Sequence, residues 1–188
     1  MNHARHINGA AAVLALLAAL GALAASPVRA QSDVVDLGQT SPDAKAVAEG
    51  LFPEDACEQL KTQGFKCQGF KPATRFSLPA NAFKLGSADL PDTLKKQLEV
   101  FAEVLKTRRG SGKTVRIEGH ADASGAAAAN VTLSQRRAVA VKDYLVELGA
   151  DSAMLVPVGV GAAVPKNQAD PFAPENRRVE IGRTTPPP

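Results

Sequence analysis

Apolar residues along this chain recur with two periods, and the longer period predicts two amphipathic helices. Pro91 opens the first helix, whose apolar positions are four, three and four residues apart. These positions are Leu94, Leu98, Phe101 and Leu105. The second helix runs from Leu133 to Leu148, and its apolar stripe consists of Ala138, Val141, Leu145 and Leu148. We expect both stripes to face a hydrophobic core.

The shorter period, in which apolar and polar residues alternate, predicts the strands. In Thr114–Glu118, Val115 and Ile117 share one face, while Arg116 and Glu118 share the other. Further extended stretches are predicted at 74–85, in two pieces separated by Pro79 and Ala80, at 155–160, where Pro157 breaks the strand, and at 177–183. The order β-α-β-α-β predicts an α+β sandwich with two main helices packed on one face of a small mixed β-sheet.

The apolar stripe of the second helix, extended towards its start, passes through Ser134 and Arg137. A guanidinium stays protonated and is costly to bury unpaired, so Arg137 should have an anionic partner. The nearest acidic residue of the preceding loop is Asp122. Two interpretations follow: an internal Asp122–Arg137 salt bridge that fixes the loop, or a divided site in which each charge binds its opposite on a ligand.

The ends of the two neighbouring elements complete this region of the chain. Thr132 and Gln135 have the spacing of a capping box, which predicts that the second helix begins near Leu133 and that 125–129 is a loop. In the last strand, Arg177 has the same parity as Val179 and Ile181. Arg177 is therefore expected either to lie beside Asp122 or to extend from the strand end into water.

Several separated motifs, which together cover about Thr74 to Arg183, resemble the OmpA-like peptidoglycan-binding domain. That family includes the peptidoglycan-associated lipoprotein and the flagellar stator protein. The motifs follow one another in the family's order: a GHAD turn at 119–122, Asn130, LSQRRA at 133–138, a Gly-x-Gly segment at 159–161 and NRRVEI at 176–181. The resemblance implies the same two-layer fold.

The resemblance also implies a ligand, which is peptidoglycan. By motif position, Asp122 and Arg137 correspond to the residues that hold the free zwitterionic end of diaminopimelate in the stem peptide, and Asn130 and Arg177 to residues lining the same pocket. Asp122 would accept the ammonium and Arg137 would bind the carboxylate, which a helix N terminus near Leu133 would also favour. The sequence departs from the family's pattern at Ala121, usually Thr, and at Lys84, often Asp.

The first residues have the composition of a secretory signal peptide, predicted as 1–30. Arg5 precedes an apolar run from Ala10 to Ala25, and small residues at Val28 and Ala30 favour cleavage before Gln31. Cleavage would remove two arginines and no acidic residue, and would lower the formal charge of +3 to nearly neutral. We therefore expect a periplasmic protein, possible contact with the outer membrane or an envelope protein partner, and no lipid anchor.

Residues 31–73 are expected to form an N-terminal extension before a domain at 74–183 and a disordered tail at 184–188. A polar, turn-rich stretch at 31–39 precedes a short helix from Pro42 to about Gly50. Cys57 and Cys67 are the chain's two cysteines, and an oxidising compartment favours a disulfide between them that closes a structural hairpin.

Other classes of function find little support. The segment 31–188 holds one histidine, His120, and the chain has neither a GxSxG nor an HExxH motif, so we expect no enzyme. A metal site of His120, Glu118 and Asp122 lacks the usual ligand set, and no cofactor or nucleic acid is expected. The strongest alternative is a periplasmic adaptor or assembly protein that binds a protein partner through the same fold, with Asp122 and Arg137 paired internally.

Overall fold

The computed structural model describes residues 34–66, 72–79, 83–84 and 86–183. The predicted signal peptide, the tail at 184–188 and Cys67 lie outside these residues, so those predictions stay as they are. No helix in the described part of the chain is long and apolar enough to cross a membrane.

A five-stranded mixed sheet forms one layer of the described fold. Its strands are β1 Val34–Asp36, β2 Arg75–Pro79, β3 Val115–His120, β4 Leu155–Gly161 and β5 Arg178–Arg183. They are ordered β1-β2-β5-β3-β4, so that β5, the last strand, lies in the centre. It pairs antiparallel with β2 and β3, whereas β1 with β2 and β3 with β4 are parallel pairs.

Helices form the second layer. They are α1 Ala44–Leu51, α2 Glu54–Thr62, α3 Asp92–Lys106 and α4 Ala127–Glu147. The predicted apolar stripe of α3 is buried, and so are Ala138, Val141 and Leu145 of the α4 stripe, whereas Leu148, just past the end of α4, is partly buried. Val115 and Ile117 are buried on the facing side of β3. Phe76 of β2 meets Phe101 of α3 edge-on, with ring centroids 5.5 Å apart. The predicted α+β fold, with two main helices against a mixed sheet, is confirmed.

The N-terminal extension holds more regular structure than the sequence predicted. Val34–Asp36, within the stretch expected to be irregular, is a strand that pairs with β2. The predicted helix at 42–50 is present as Ala44–Leu51, capped by the Asp43 carboxylate. Cys57 lies buried in α2 rather than in a hairpin. Pairing with Cys67 falls outside the described residues, and the disulfide remains a prediction.

Two boundaries near the predicted binding site were wrong. Helix α4 begins at Ala127, six residues before the predicted start, because the run of alanines has the highest helix propensity. Pro157 does not break β4: it lies on an edge strand, where a missing N–H costs no ladder hydrogen bond. Of the second extended piece predicted within 74–85, the described residues Phe83 and Lys84 lie outside any strand.

Candidate binding site

Asp122 follows the end of β3 and is held at two points. Its Oδ1 accepts from the backbone N–H of Ser124 at 3.0 Å, and its Oδ2 accepts from Nη1 of Arg177 at 2.5 Å. Burial alone would raise the pKa of Asp122, but these hydrogen bonds and the charge of Arg177 lower it below its ordinary value. Asp122 is therefore a carboxylate in a fixed orientation at the end of the sheet.

Arg137 projects from α4 into the same region and is almost completely buried, with 2% of its surface exposed. Its Nε donates to the backbone carbonyl of Ser87 at 3.0 Å, and its guanidinium stacks on the ring of Phe83, 4.8 Å from the centroid. Within the described residues, its Nη1 is buried and has no hydrogen-bond partner. Burial, followed by repulsion from Arg177, lowers the pKa of Arg137, and Asp122 partly opposes that effect.

The two predicted charges lie near one another but are not paired. Asp122 forms its ion pair with Arg177 rather than with Arg137. The internal Asp122–Arg137 salt bridge, one of the two interpretations of the sequence, does not form among the described residues. The three side chains place two guanidinium groups around one carboxylate. This arrangement leaves one positive charge uncompensated, and the buried Arg137 carries it.

Asn130 fixes the loop that presents Asp122. It lies in the first turn of α4, and its Nδ2 donates to the carbonyl oxygens of Asp122 and Ser124 at 3.0 and 2.9 Å. Asn130 thus holds the backbone on both sides of Ala123 against the helix. These contacts position the loop beside the start of α4, and the ligand-binding role of Asn130 stays a prediction.

The predicted capping box does not form, because both of its side chains have other partners. Thr132 donates to the carbonyl of Ala128, one turn earlier. Gln135 reaches the edge strand β4, where its Oε1 accepts from the N–H of Gly159 at 2.6 Å. The helix N terminus consequently lies about 15 Å from Arg137 along the axis, so the expected dipole contribution to a carboxylate bound there is lost.

Arg177 adopts the first of its two predicted positions. It follows a short 3₁₀ turn and immediately precedes β5, and it contacts Asp122 across the end of the sheet. Sequence reasoning missed Ser87 and Phe83, which belong to the connection between β2 and α3. Phe83 could have been noticed in the sequence, because it is a single aromatic residue within a stretch of mostly small and polar residues.

The two departures from the family's pattern have different surroundings. Ala121 is buried, and its backbone N–H donates to the carbonyl of Gly161 at 2.8 Å, so its turn is held without a side-chain hydroxyl. Lys84 is exposed beside Phe83. Lys84 is therefore not part of the core.

A second charged cluster lies on the face of the sheet opposite the helices. Nε2 of His120 is 3.6 Å from Glu118 and 3.8 Å from Glu180, close enough for the three side chains to surround a cation. Arg75, however, bridges both carboxylates and already supplies that positive charge. Asp122, the third ligand considered from the sequence, bonds to Arg177 instead. The cluster is best described as an ion-pair network.

Comparisons with known proteins identify relatives of this region. A model of the OmpA family matches residues 82–179. The peptidoglycan-associated lipoprotein of Pseudomonas aeruginosa is 39% identical over 101 residues, which are 53% of this chain and 58% of the relative. The protein of the same name from Pseudomonas putida is 37% identical over 102 residues, 53% of this chain and 59% of the relative. The matched region thus spans less than two thirds of either relative.

Solved structures agree with the fold. The crystal structure of the periplasmic domain of MotB covers 70% of this chain and 84% of its own, with a TM-score of 0.50 at 17% sequence identity. At that identity the likeness concerns the arrangement of helices and strands alone. The described sheet and helices therefore have the same arrangement as those of that domain.

Proposed function

We propose that this chain, which belongs to the OmpA family, binds peptidoglycan noncovalently through the free end of a diaminopimelate residue. The observation that carries the proposal is Arg137, a buried guanidinium whose Nη1 has no partner within the described residues. Such a group is costly unless an anion reaches it, and a ligand carboxylate is an anion of suitable size and geometry. The names of the curated relatives supply the ligand class.

Each charge of the site takes one role in this mechanism. The ligand's carboxylate binds the Nη side of Arg137, whose Nε is already committed to Ser87. The ligand's ammonium binds Asp122, whose orientation is set by Arg177 and Ser124. A peptide-bonded end lacks one or both charges, so the site selects stem peptides that are not crosslinked there. Binding makes and breaks no covalent bond.

The two ligand charges are expected to contribute unequally. Arg177 already compensates Asp122, whereas Arg137 lacks an ion-pair partner within the described residues. Amidation of the ligand's carboxylate should therefore abolish binding, while acetylation of its amine should only weaken it. Calorimetric titration with both derivatives of diaminopimelate measures the difference. Equal losses from the two modifications would contradict this division of roles.

Together with the predicted signal peptide, the proposal makes this a periplasmic protein that joins the cell wall to another part of the envelope. The alternative is a protein adaptor that uses the same fold, and it was based on an internal Asp122–Arg137 pair. Asp122 instead pairs with Arg177, so Arg137 lacks an ion-pair partner within the described residues. This contact favours wall binding over the adaptor.

Cosedimentation with purified sacculi tests the proposal directly. The protein of residues 31–188 should pellet with the wall. Among variants shown to be folded by thermal unfolding, Arg137→Ala should stay in solution, and Asp122→Asn should pellet less than the parent. Arg136→Ala is the matched control, because Arg136 is the exposed neighbour on the same helix. High salt should weaken pelleting, since the contacts are ionic. A parent protein that remains soluble, or site variants that pellet equally well, would overturn the proposal.

A further inference from the structure

A cleft of about 260 Å³, lined by charged and apolar residues, lies beside the binding site. One wall comes from the N-terminal extension, through Asp36 and Gln39 at the end of β1. The opposite wall comes from the loop before β5, through Lys166, Glu175 and Arg177. Residues 36–39 precede the segment that matches the family, so this wall is a feature of the extension. The cleft exists because β1 pairs with β2 and faces that loop.

Arg177 connects the cleft to the binding site. Its Nη1 bonds to Asp122, yet its side chain is 30% exposed and also lines the cleft. Within the described residues, Nη1 is the Arg177 donor that has a side-chain partner. The remaining donors of its guanidinium have no partner among the described residues, and they can bind an acceptor that enters from the cleft. A ligand anchored at Asp122 could therefore extend into the cleft and contact the guanidinium of Arg177 there.

The charges of the cleft indicate what it accepts. Lys166 forms an ion pair with Asp36 across the cleft, and Arg177 provides a further positive group. Glu175 is exposed and holds its carboxylate through a hydrogen bond from Asn167, which lowers its pKa. The volume is below the roughly 300–1,000 Å³ of sites for drug-sized molecules, so it suits one or two amino acid residues rather than a disaccharide.

We infer that this cleft is a second subsite of the same binding site, and that it takes the peptide next to the anchored amino acid, with a free peptide carboxylate bound to Arg177. The inference rests on the proposed function, because that function places the ligand's end between Asp122 and Arg137. The N-terminal extension then takes part in ligand recognition, because it forms one wall of the cleft. The carboxylate of the acidic residue in the stem peptide is the group that Arg177 recognises.

Two exposed residues with opposite charges provide the test. Lys166→Gln removes positive charge and leaves the Asp36 carboxylate unpaired, so it should weaken binding of the tripeptide L-Ala-γ-D-Glu-meso-diaminopimelate. Glu175→Gln removes negative charge but keeps the oxygen that accepts from Asn167, so it should strengthen that binding. Each change should be about twofold to fivefold in Kd at low salt. Lys96→Gln, an exposed lysine on α3 away from the cleft, is the charge-matched control.

Calorimetric titration with two ligands separates this inference from the proposed function. Free meso-diaminopimelate should bind the parent, Lys166→Gln and Glu175→Gln proteins with equal affinity. The tripeptide amidated at its glutamate carboxylate should also bind the two variants with the same Kd as the parent. Tripeptide affinities that do not move, or that move as much for the free amino acid, would refute the subsite and leave the proposed function intact. A parent protein that binds neither ligand would overturn both.

Discussion

Replacement of Arg137 by methionine should stabilise the protein while it removes wall binding. Desolvation of a buried cation costs several kcal/mol, and here the described residues supply no ion pair to offset it. The contacts that would be lost are the hydrogen bond to the Ser87 carbonyl, worth about 1.5–3 kcal/mol, and the stacking on Phe83, worth about 2 kcal/mol. Methionine fills a similar volume with an unbranched apolar chain.

On balance, Arg137→Met should raise the free energy of unfolding by about 1 kcal/mol, near the lower end of what replacement of buried charges by apolar residues yields. For a domain of this size, that corresponds to a rise in Tm of about 2–4 °C. The assay is thermal unfolding followed by circular dichroism, without ligand, in parallel with the sacculus pull-down. Arg136→Met changes the same residue type on the exposed side of α4 and should leave both measurements nearly unchanged.

A fall in Tm of several degrees for Arg137→Met would refute this reasoning. It would mean that the guanidinium contributes more through its contacts than it loses by burial, so that no anion is required. A stabilised variant that still pelleted with sacculi would refute the other half, since Arg137 would then be a structural liability without a role in binding. The combination of higher stability and lost binding is the outcome that a site for an anionic ligand requires.

Three further predictions concern the scaffold. Burial would raise the pKa of Glu118, but the hydrogen bond from His120 and the charges of Arg75 and Arg116 lower it to about 2. The Glu118 carboxylate therefore contributes about 3 kcal/mol to the free energy of unfolding above its unfolded pKa near 4.5, and this contribution is lost as the pH falls towards 2. Urea titrations between these pH values should show a smaller loss of stability for Glu118→Gln than for the parent. Gly119→Ala should lower the urea midpoint severely, because the new Cβ would clash with the backbone of Ser134, whereas Gly112→Ala, in open space, should cost about 1–2 kcal/mol for its left-handed conformation. Dithiothreitol should destabilise the protein by about 2–3 kcal/mol if the predicted disulfide forms, and an unchanged Tm would contradict that pairing.

The core was predictable from the sequence because periodicity reports burial directly. Leu94, Leu98, Phe101 and Leu105 recur at helical spacing, and all four are buried in α3. Val115 and Ile117 alternate with polar residues, and they face the helices from β3. In α3 the pattern of residue types and the pattern of burial therefore coincide. In β3 the apolar residues face the helices as predicted, but Glu118 and His120 on the opposite face are buried as well.

The same logic located Arg137 but could not identify the partner of Asp122. A charged residue on an apolar stripe signals an unusual environment, and the structure places Arg137 in one. Which of two arginines reaches Asp122, however, depends on how the start of β5 approaches the end of β3. These segments are 55 residues apart, and their pairing is set by the sheet as a whole. Parity along one strand carries no such information.

The start of α4 shows how a local signal can be outweighed. Thr132 and Gln135 have the spacing of a capping box, yet the alanines before them extend the helix to Ala127. Gln135 is then free to hydrogen-bond the exposed edge of β4, where Gly159 and the carbonyl of Pro157 face it. A tertiary contact thus uses the side chain that the local pattern assigned to a cap. The short strand β1 escaped prediction because three residues are too few to show a period.

The unpaired charge of Arg137 also couples binding to stability. A rigid helix holds the guanidinium away from water before any ligand arrives, so the apo protein bears the cost of desolvation and the bound protein does not. Any ligand that binds the folded state alone stabilises it, by about 2.7 kcal/mol at a concentration one hundred times Kd. On a sacculus, free stem-peptide ends would favour the folded state by an amount that rises with the logarithm of their local concentration relative to Kd. A site of this kind is therefore most stable where the proposed function places it, against the wall.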